Sequence, residues 1–230
     1  HQARERAQLA TVAQSHEDAM RQARQLMIEG SAHQVISLAQ AIKTHLESQP
    51  RPANQPEDPR IVAQKAQTSL LLARAEMENH RPGRALSHLD AVQPEATPIA
   101  DYVHWLRAQI LEEQGRYLDA YDAYQHVAKL SSSPMSHRAR VQKAHMLHLA
   151  DQHERALIEL SQVNALYPDY PRRHISLYQY ARSLEASGQL DLASQAYQQT
   201  WFEFPFKQRG KEARRKMEEL VEQGRTVPII

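Results

Sequence analysis

Hydrophobic and polar positions along this chain recur in one frame. A turn residue is followed five positions later by a small apolar residue, which is echoed four positions further on. Gly115 leads to Ala120 and Tyr124, and Gly188 to Ala193 and Tyr197. The same frame fits Ala156 with Leu160, Ala85 with Leu89 and, less closely, Val35 with Ala39. Seven residues before each turn stands another alanine: Ala23, Ala73, Ala108, Ala144 and Ala181. Spacings of four and seven keep side chains on one helix face, so each frame reads as two helices joined by a turn. The later frames recur at intervals of 35, 36 and 37 residues, and the first interval, 50, holds an insertion.

The pattern predicts helices near 2–29 and 32–48, 60–79 and 83–92, 98–114 and 117–130, 135–150 and 153–165, 171–187 and 190–203, and a last one near 208–223. Gly30-Ser31 is a helix stop followed by a cap. Pro82-Gly83 opens a helix, and Ser131-Ser-Ser-Pro134 and Pro168-Asp-Tyr-Pro171 place a proline at a first helical turn. Four prolines in Pro50–Pro59 forbid a helix interior and mark a linker. The organisation expected is an N-terminal hairpin over 1–49, a linker over 50–59, repeats over 60–206, and a charged helix and tail over 207–230.

This spacing resembles the tetratricopeptide repeat, whose unit is about 34 residues. The expected fold is all-α: a tetratricopeptide-like helical-hairpin solenoid of about five hairpins plus a C-terminal helix. Where two helices of a hairpin approach closely, a methyl group fits and a larger side chain wedges them apart. Ala108 is expected to face Ala120, and Ala181 to face Ala193. Tyr124, Leu160 and Tyr197 are expected to pack between repeats. Arg107, Lys143 and Gln22 stand where the repeat prefers leucine, so these units depart from the consensus.

Composition narrows the function classes. The net charge is +1 and charged residues make up 24%, which gives no general field toward nucleic acid. No apolar run approaches the roughly 20 residues that span a bilayer, so no membrane insertion is expected. The absence of cysteine excludes disulfides, thiol catalysis and thiolate zinc sites. The chain starts at His1 and ends on Val-Pro-Ile-Ile, and it reads as a fragment of a longer parent.

Catalytic chemistry finds little footing. No phosphate loop, dinucleotide fingerprint, His-Glu-x-x-His or Gly-x-Ser-x-Gly occurs. His145 and His148 share a helix face, but a third metal ligand is missing, so solvated histidines are expected and no metal or cofactor. Glu112-Glu113 and Glu218-Glu219 diverge by about 100° on a helix and do not converge on a substrate. The chain is expected not to be an enzyme.

A binding surface is more readily placed. In such solenoids the first helix of each hairpin lines the concave side. The frame points Tyr102, Trp105 and Gln109 inward, then Arg138, Val141, His145 and His148, then Tyr178 and Arg182. Interleaved aromatics and arginines suit a peptide or a sugar strand. Trp105 and Tyr178 serve equally well as packing residues. The basic run Lys207, Arg209, Lys211, Arg214, Arg215 and Lys216 is either a docking patch or a solvated helix face.

Trp201-Phe-Glu-Phe-Pro205, followed by a charged helix with Ala213 and Leu220, resembles the last repeats of the α-superhelical domain of soluble lytic murein transglycosylases. Phe206–Gly210 replaces that family's Ser-Pro-type turn. The resemblance implies a non-catalytic scaffold of a bacterial cell-envelope protein, periplasmic, positioning peptidoglycan for a lysozyme-like domain beyond this chain. The Glu-Ser, Gly-Leu-Met-Gln and Asn-Ala-Gly elements of that domain are absent from residues 1–230. The alternative is a tetratricopeptide-type adaptor, cytoplasmic or periplasmic, that binds a partner protein's peptide in its groove. Oligomeric state is open at this stage.

Overall fold

The computed structural model describes residues 16–48, 57–94 and 97–224. Among them lie eleven helices and no strand: α1 (His16–Ile28), α2 (Ala32–Ser48), α3 (Pro59–Glu78), α4 (Pro82–Asp90), α5 (Ala100–Glu113), α6 (Tyr117–Lys129), α7 (Ser136–Leu149), α8 (His153–Leu166), α9 (Arg173–Ala186), α10 (Leu190–Glu203) and α11 (Gln208–Glu222). The start expected for the first helix and most of the proline-rich linker fall outside the described residues. The chain forms two compact units, one ending at Arg116 with α1–α5, the other beginning at Tyr117 with α6–α11.

The repeat frame has a backbone cause. All five turn positions adopt the left-handed conformation: Gly30 (φ 73), His80 (φ 55), Gly115 (φ 71), Asp151 (φ 57) and Gly188 (φ 78). Each closes the preceding helix with the same pair of hydrogen bonds. At Gly115 the amide donates to the Glu112 carbonyl at 3.0 Å, and Arg116 N donates to the Leu111 carbonyl at 2.9 Å. This six-to-one bond satisfies carbonyls that the helix end would leave bare. Glycine takes that conformation without a Cβ penalty, whereas His80 and Asp151 carry one.

The frame also maps the core. The five leading alanines, the five small residues after the turns and their five echoes are all 0% exposed, Tyr124 and Tyr197 included. Ala23 shares a cluster with Val35, Ala73 with Ala85, and Ala181 with Ala193. Ala108 and Ala120 belong to different units, and each is buried.

The two cations at leucine positions have found partners. Arg107 of α5 reaches Asp90 at 2.5 Å and the Leu89 carbonyl at 3.1 Å, tying it to the end of α4. Lys143 of α7 is 6% exposed and bridges Gln125 of α6 and Glu159 of α8. Tyr121 donates to the same Glu159 carboxylate at 3.2 Å. Gln22 is exposed.

The two expected proline starts are corrected. Helix α7 begins at Ser136 and α9 at Arg173, so Pro134 and Pro171 lie in the turns before them. Those turns close by Ser136 N to Ser133 O at 3.1 Å and Arg173 N to Tyr170 O at 2.9 Å. Pro82 does open α4, and Pro59 opens α3 behind Asp58, whose carboxylate caps Arg60 N at 2.8 Å.

Helix α11 packs on α9 and α10 through Ala213, Met217 and Leu220. Its first turn passes against the end of α10. A Cβ on Gly210 would stand 1.8 Å from the Phe204 carbonyl oxygen, closer than atoms can approach, so glycine is required here.

Candidate binding surfaces

Helices α1, α3 and α5, the first helices of their hairpins, line a cavity of about 560 Å³ in the first unit. Its apolar lining comes from Met20, Met27 and Ile28 of α1, Leu70 and Leu71 of α3, and Ile99 and Tyr102 next to and in α5. Ile28 is 80% exposed although it ends an apolar face. Arg24, Gln67 and Arg74 supply the polar part. Arg74 is bridged to Glu78 at 3.2 Å, whereas Arg24 forms no ion pair among the described residues. Tyr102 lines this groove. Trp105, next on the same helix, is 5% exposed and sits in the interior, and Gln109 is half-buried outside the groove lining.

In the second unit the candidates divide between two places. Arg138 and Val141 of α7 line a cavity of about 100 Å³ with Tyr170, Arg172 and Ile175. Two helical turns further along α7, His145 and His148 stack with ring centres 6.0 Å apart. His148 Nδ1 lies 3.1 Å from Ser183 Oγ of α9, and its ring lies 5.0 Å from that of His153. Arg182, also on α9, acts on both rings, and it acts on Tyr178 of the same helix as well. Arg209 of α11 lies 5.1 Å over the Tyr178 ring and is paired with Glu212. Tyr178 itself is buried and packs against Tyr197 at 5.6 Å.

Electrostatics follow from this crowding. Burial holds His145 down to about 4, aided by His148, Arg182 and Arg209. Burial likewise holds His148 at about 4, aided by Arg182 and His153 and opposed by Asp151. Both rings are therefore neutral at pH 7. Burial raises the Tyr178 phenol. Burial, with a 2.6 Å hydrogen bond to Glu185, raises that of Tyr197.

Among the described residues no group of three or more His, Asp or Glu side chains is placed to hold a metal ion. Nor is any described helix long and apolar enough to cross a membrane. The basic run is largely matched internally: Arg209 with Glu212, Arg214 with Glu218, Arg215 with Glu219, and Lys216 with Glu185 and Glu219. The repeat frame did not single out the groove residues of α1 and α3, nor Tyr170, Arg172 and Ile175, nor Ser183, His153 and Arg209. Arg209 was visible only as one of six cations, and nothing in the sequence marks it as the one that turns onto a tyrosine of α9.

No family model matches the chain, and no curated protein matches it. Solved structures do. A candidate kinesin light chain from Podosopora anserina with nearly identical TPR-like repeats is similar over 84% of this chain and 93% of its own, at TM-score 0.63 and 19% identity. The MamA RS-1 ArsTM double mutant matches 94% of this chain and 96% of its own, at TM-score 0.56 and 14% identity. The apo form of RapI matches 90% and 83%, at TM-score 0.55 and 10% identity. At such identities the likeness establishes the fold: the chain is an all-α protein of tetratricopeptide-like helical hairpins.

Proposed function

We propose that this chain is a protein-interaction adaptor whose first unit holds an amphipathic segment of a partner protein. The observation that carries this reading is the groove on α1, α3 and α5. It combines two methionines, whose flexible thioethers adapt to varied side chains, with a tyrosine and exposed isoleucines. Arg24, without an ion pair among the described residues, selects a segment whose apolar residues are flanked by carboxylates. Solenoids of stacked helical repeats use such extended surfaces for binding, which supports a scaffold role.

The second reading, an envelope scaffold that positions peptidoglycan in the periplasm, rests on Trp201–Pro205, Ala213 and Leu220. Ala213 and Leu220 are, with Gly210, the buried positions of α11, 0% and 3% exposed, which any amphipathic helix closing a hairpin stack needs. The aromatic element lies at the end of α10, where Trp201 packs beneath Arg214 at 5.1 Å. Packing thus accounts for the resemblance without a glycan, and the adaptor reading is preferred.

An array of twelve-residue peptides, varied in apolar and acidic content, tests the proposal. Peptides that combine both features are expected to bind the wild type saturably and to lose affinity at least tenfold for Ile28→Glu with Ile99→Glu. Both positions are exposed, so the double variant is expected to fold. Equal binding by the variant would remove the groove from the account, and an array without binders would remove the adaptor reading.

A further inference from the structure

The cavity of about 100 Å³ between α7 and α9 carries charge of one sign. Arg138 and Gln142 come from α7, and Tyr170 and Arg172 from the turn before α9. Val141 and Ile175 supply its apolar part. Both arginines are exposed and form the rim, whereas Val141 is 5% exposed and forms the floor. Among the described residues that line the cavity there is no aspartate or glutamate. The Arg172 guanidinium forms no hydrogen bond or ion pair among the described residues.

The backbone adds to the same sign. Arg138 is the third residue of α7, and Arg172 immediately precedes α9. A helix start carries partial positive charge, which favours carboxylates there and disfavours cations. Neither helix has an acidic residue in its first turn or a side-chain cap. Arg173, the first residue of α9, is matched by Glu203 of α10, but that carboxylate does not line the cavity. The tyrosine wall is set in advance. The His137 ring packs on Tyr170 with ring centres 3.5 Å apart and on Tyr167 at 4.2 Å.

We propose that this cavity takes the phosphate of a phosphorylated serine or threonine in a partner's peptide. Liquid water occupies ~30 Å³ per molecule, so the space holds about three waters or one tetrahedral oxyanion. Whole small molecules such as nucleotides fill sites of roughly 300–1,000 Å³ and do not fit inside. A phosphate monoester carries about −1.5 to −2 charges and three acceptor oxygens. Two guanidinium forks, the Gln142 amide and the Tyr170 hydroxyl offer donors to all three, more than the two oxygens of a carboxylate use. The short arm of serine or threonine then leaves the peptide backbone outside, across the exposed arginines. This goes beyond the apolar groove of the first unit and does not depend on it.

The test uses the whole chain and a fluorescein-labelled peptide of twelve residues, alanine and glycine around one central phosphothreonine. The probe has no large apolar residue, so the groove of the first unit does not contribute. The same peptide with Thr or with Glu at the centre is the control, and inorganic phosphate is the competitor. Fluorescence anisotropy is compared for wild type, Arg138→Ala, Arg172→Ala, Arg172→Lys and Arg182→Ala. Arg182 is an exposed arginine of α9 outside the cavity lining. The phosphopeptide is expected to bind at least about tenfold tighter than either control. Arg138→Ala and Arg172→Ala should each weaken it about tenfold, Arg172→Lys should recover part of the loss, and Arg182→Ala should bind as wild type does. Inorganic phosphate should displace the probe only at concentrations about tenfold or more above those of unlabelled phosphopeptide. Equal affinity for the Thr or Glu peptide, or an Arg182→Ala loss as large as that of Arg172→Ala, would overturn the proposal. So would displacement by inorganic phosphate as readily as by phosphopeptide, or no binding at all.

Discussion

The Lys143 ammonium lies 2.8 Å from one carboxylate oxygen of Glu159 and 2.9 Å from the other, at a position where the repeat calls for leucine. The lysine joins three helices, because its third contact is Gln125 of α6 at 2.8 Å. Lys143→Leu restores the repeat pattern but strands Glu159. The expected loss is about 1–2 kcal/mol, below the ~3–5 of a fully buried pair because Glu159 keeps some solvent. Adding Glu159→Gln should recover most of it. Urea midpoints of the single and double variants check this, and equal midpoints would show that the charge pair is not what the lysine contributes.

Gly210→Ala drives a Cβ into the backbone of Phe204. Backbone cannot swing aside as a side chain does, so the expected cost lies near the top of the ~1–3 kcal/mol range for overpacking. Gly83→Ala is the matched control: it lies in α4, its Cβ meets nothing within 4 Å, and it should be neutral or slightly stabilising. Thermal midpoints that fall equally for both would contradict the close approach at Gly210.

His80→Gly and Asp151→Gly should each stabilise. A left-handed conformation costs a side-chain residue about 1–2 kcal/mol, partly offset by the extra chain entropy of glycine, so a net gain near ~0.5–1 kcal/mol is expected. The gain is larger at His80, because aspartate tolerates this conformation better and Asp151 also pairs with His153. Gly115→Ala should move stability the other way. Denaturant titration of the three variants decides the point, and a destabilised His80→Gly would contradict it.

Stability should fall with acid through the histidines. His145 and His148 titrate near 4 when folded and near 6.5 when unfolded, so between these values the unfolded chain binds more protons. Their contribution is intact above about pH 6.5 and is lost progressively as pH falls toward 4. Burial lowers His16, His88, His137 and His174 in the same direction. The thermal midpoint should decline from pH 7 to pH 4.5, with a shallower slope in His145→Gln. An unchanged slope in that variant would show that the ring does not titrate as described.

The fold was legible because the repeat frame records backbone geometry. A left-handed turn residue, an alanine seven residues before it and a small residue five after it are each dictated by close helix contact, and helix bounds fell within two residues of expectation wherever both are described. His80 and Asp151 were found at turn positions by spacing even though neither is glycine. The site was less legible. Periodicity placed Tyr102, His145, Tyr178 and Arg182 on inward helix faces, but it could not separate a lining residue from a core residue. Trp105 shows why: one turn spans Tyr102 and Trp105, yet the ring of the second falls behind the helix plane into the interior. The partners of Glu185 were also invisible, because Lys216 and the Tyr197 hydroxyl reach it from other helices by three-dimensional packing and not by repeat position.

The measurement that bears most directly on the adaptor reading is site-specific photo-crosslinking. A benzoyl-phenylalanine is placed at Ile28 in the groove and, as a control, at exposed Ser37 on α2, and each protein is irradiated with the tightest amphipathic peptide from the array. The account predicts a covalent adduct at position 28, suppressed by excess unlabelled peptide, and little at position 37. Equal labelling at the two positions, or labelling at 28 that excess peptide does not suppress, would contradict it.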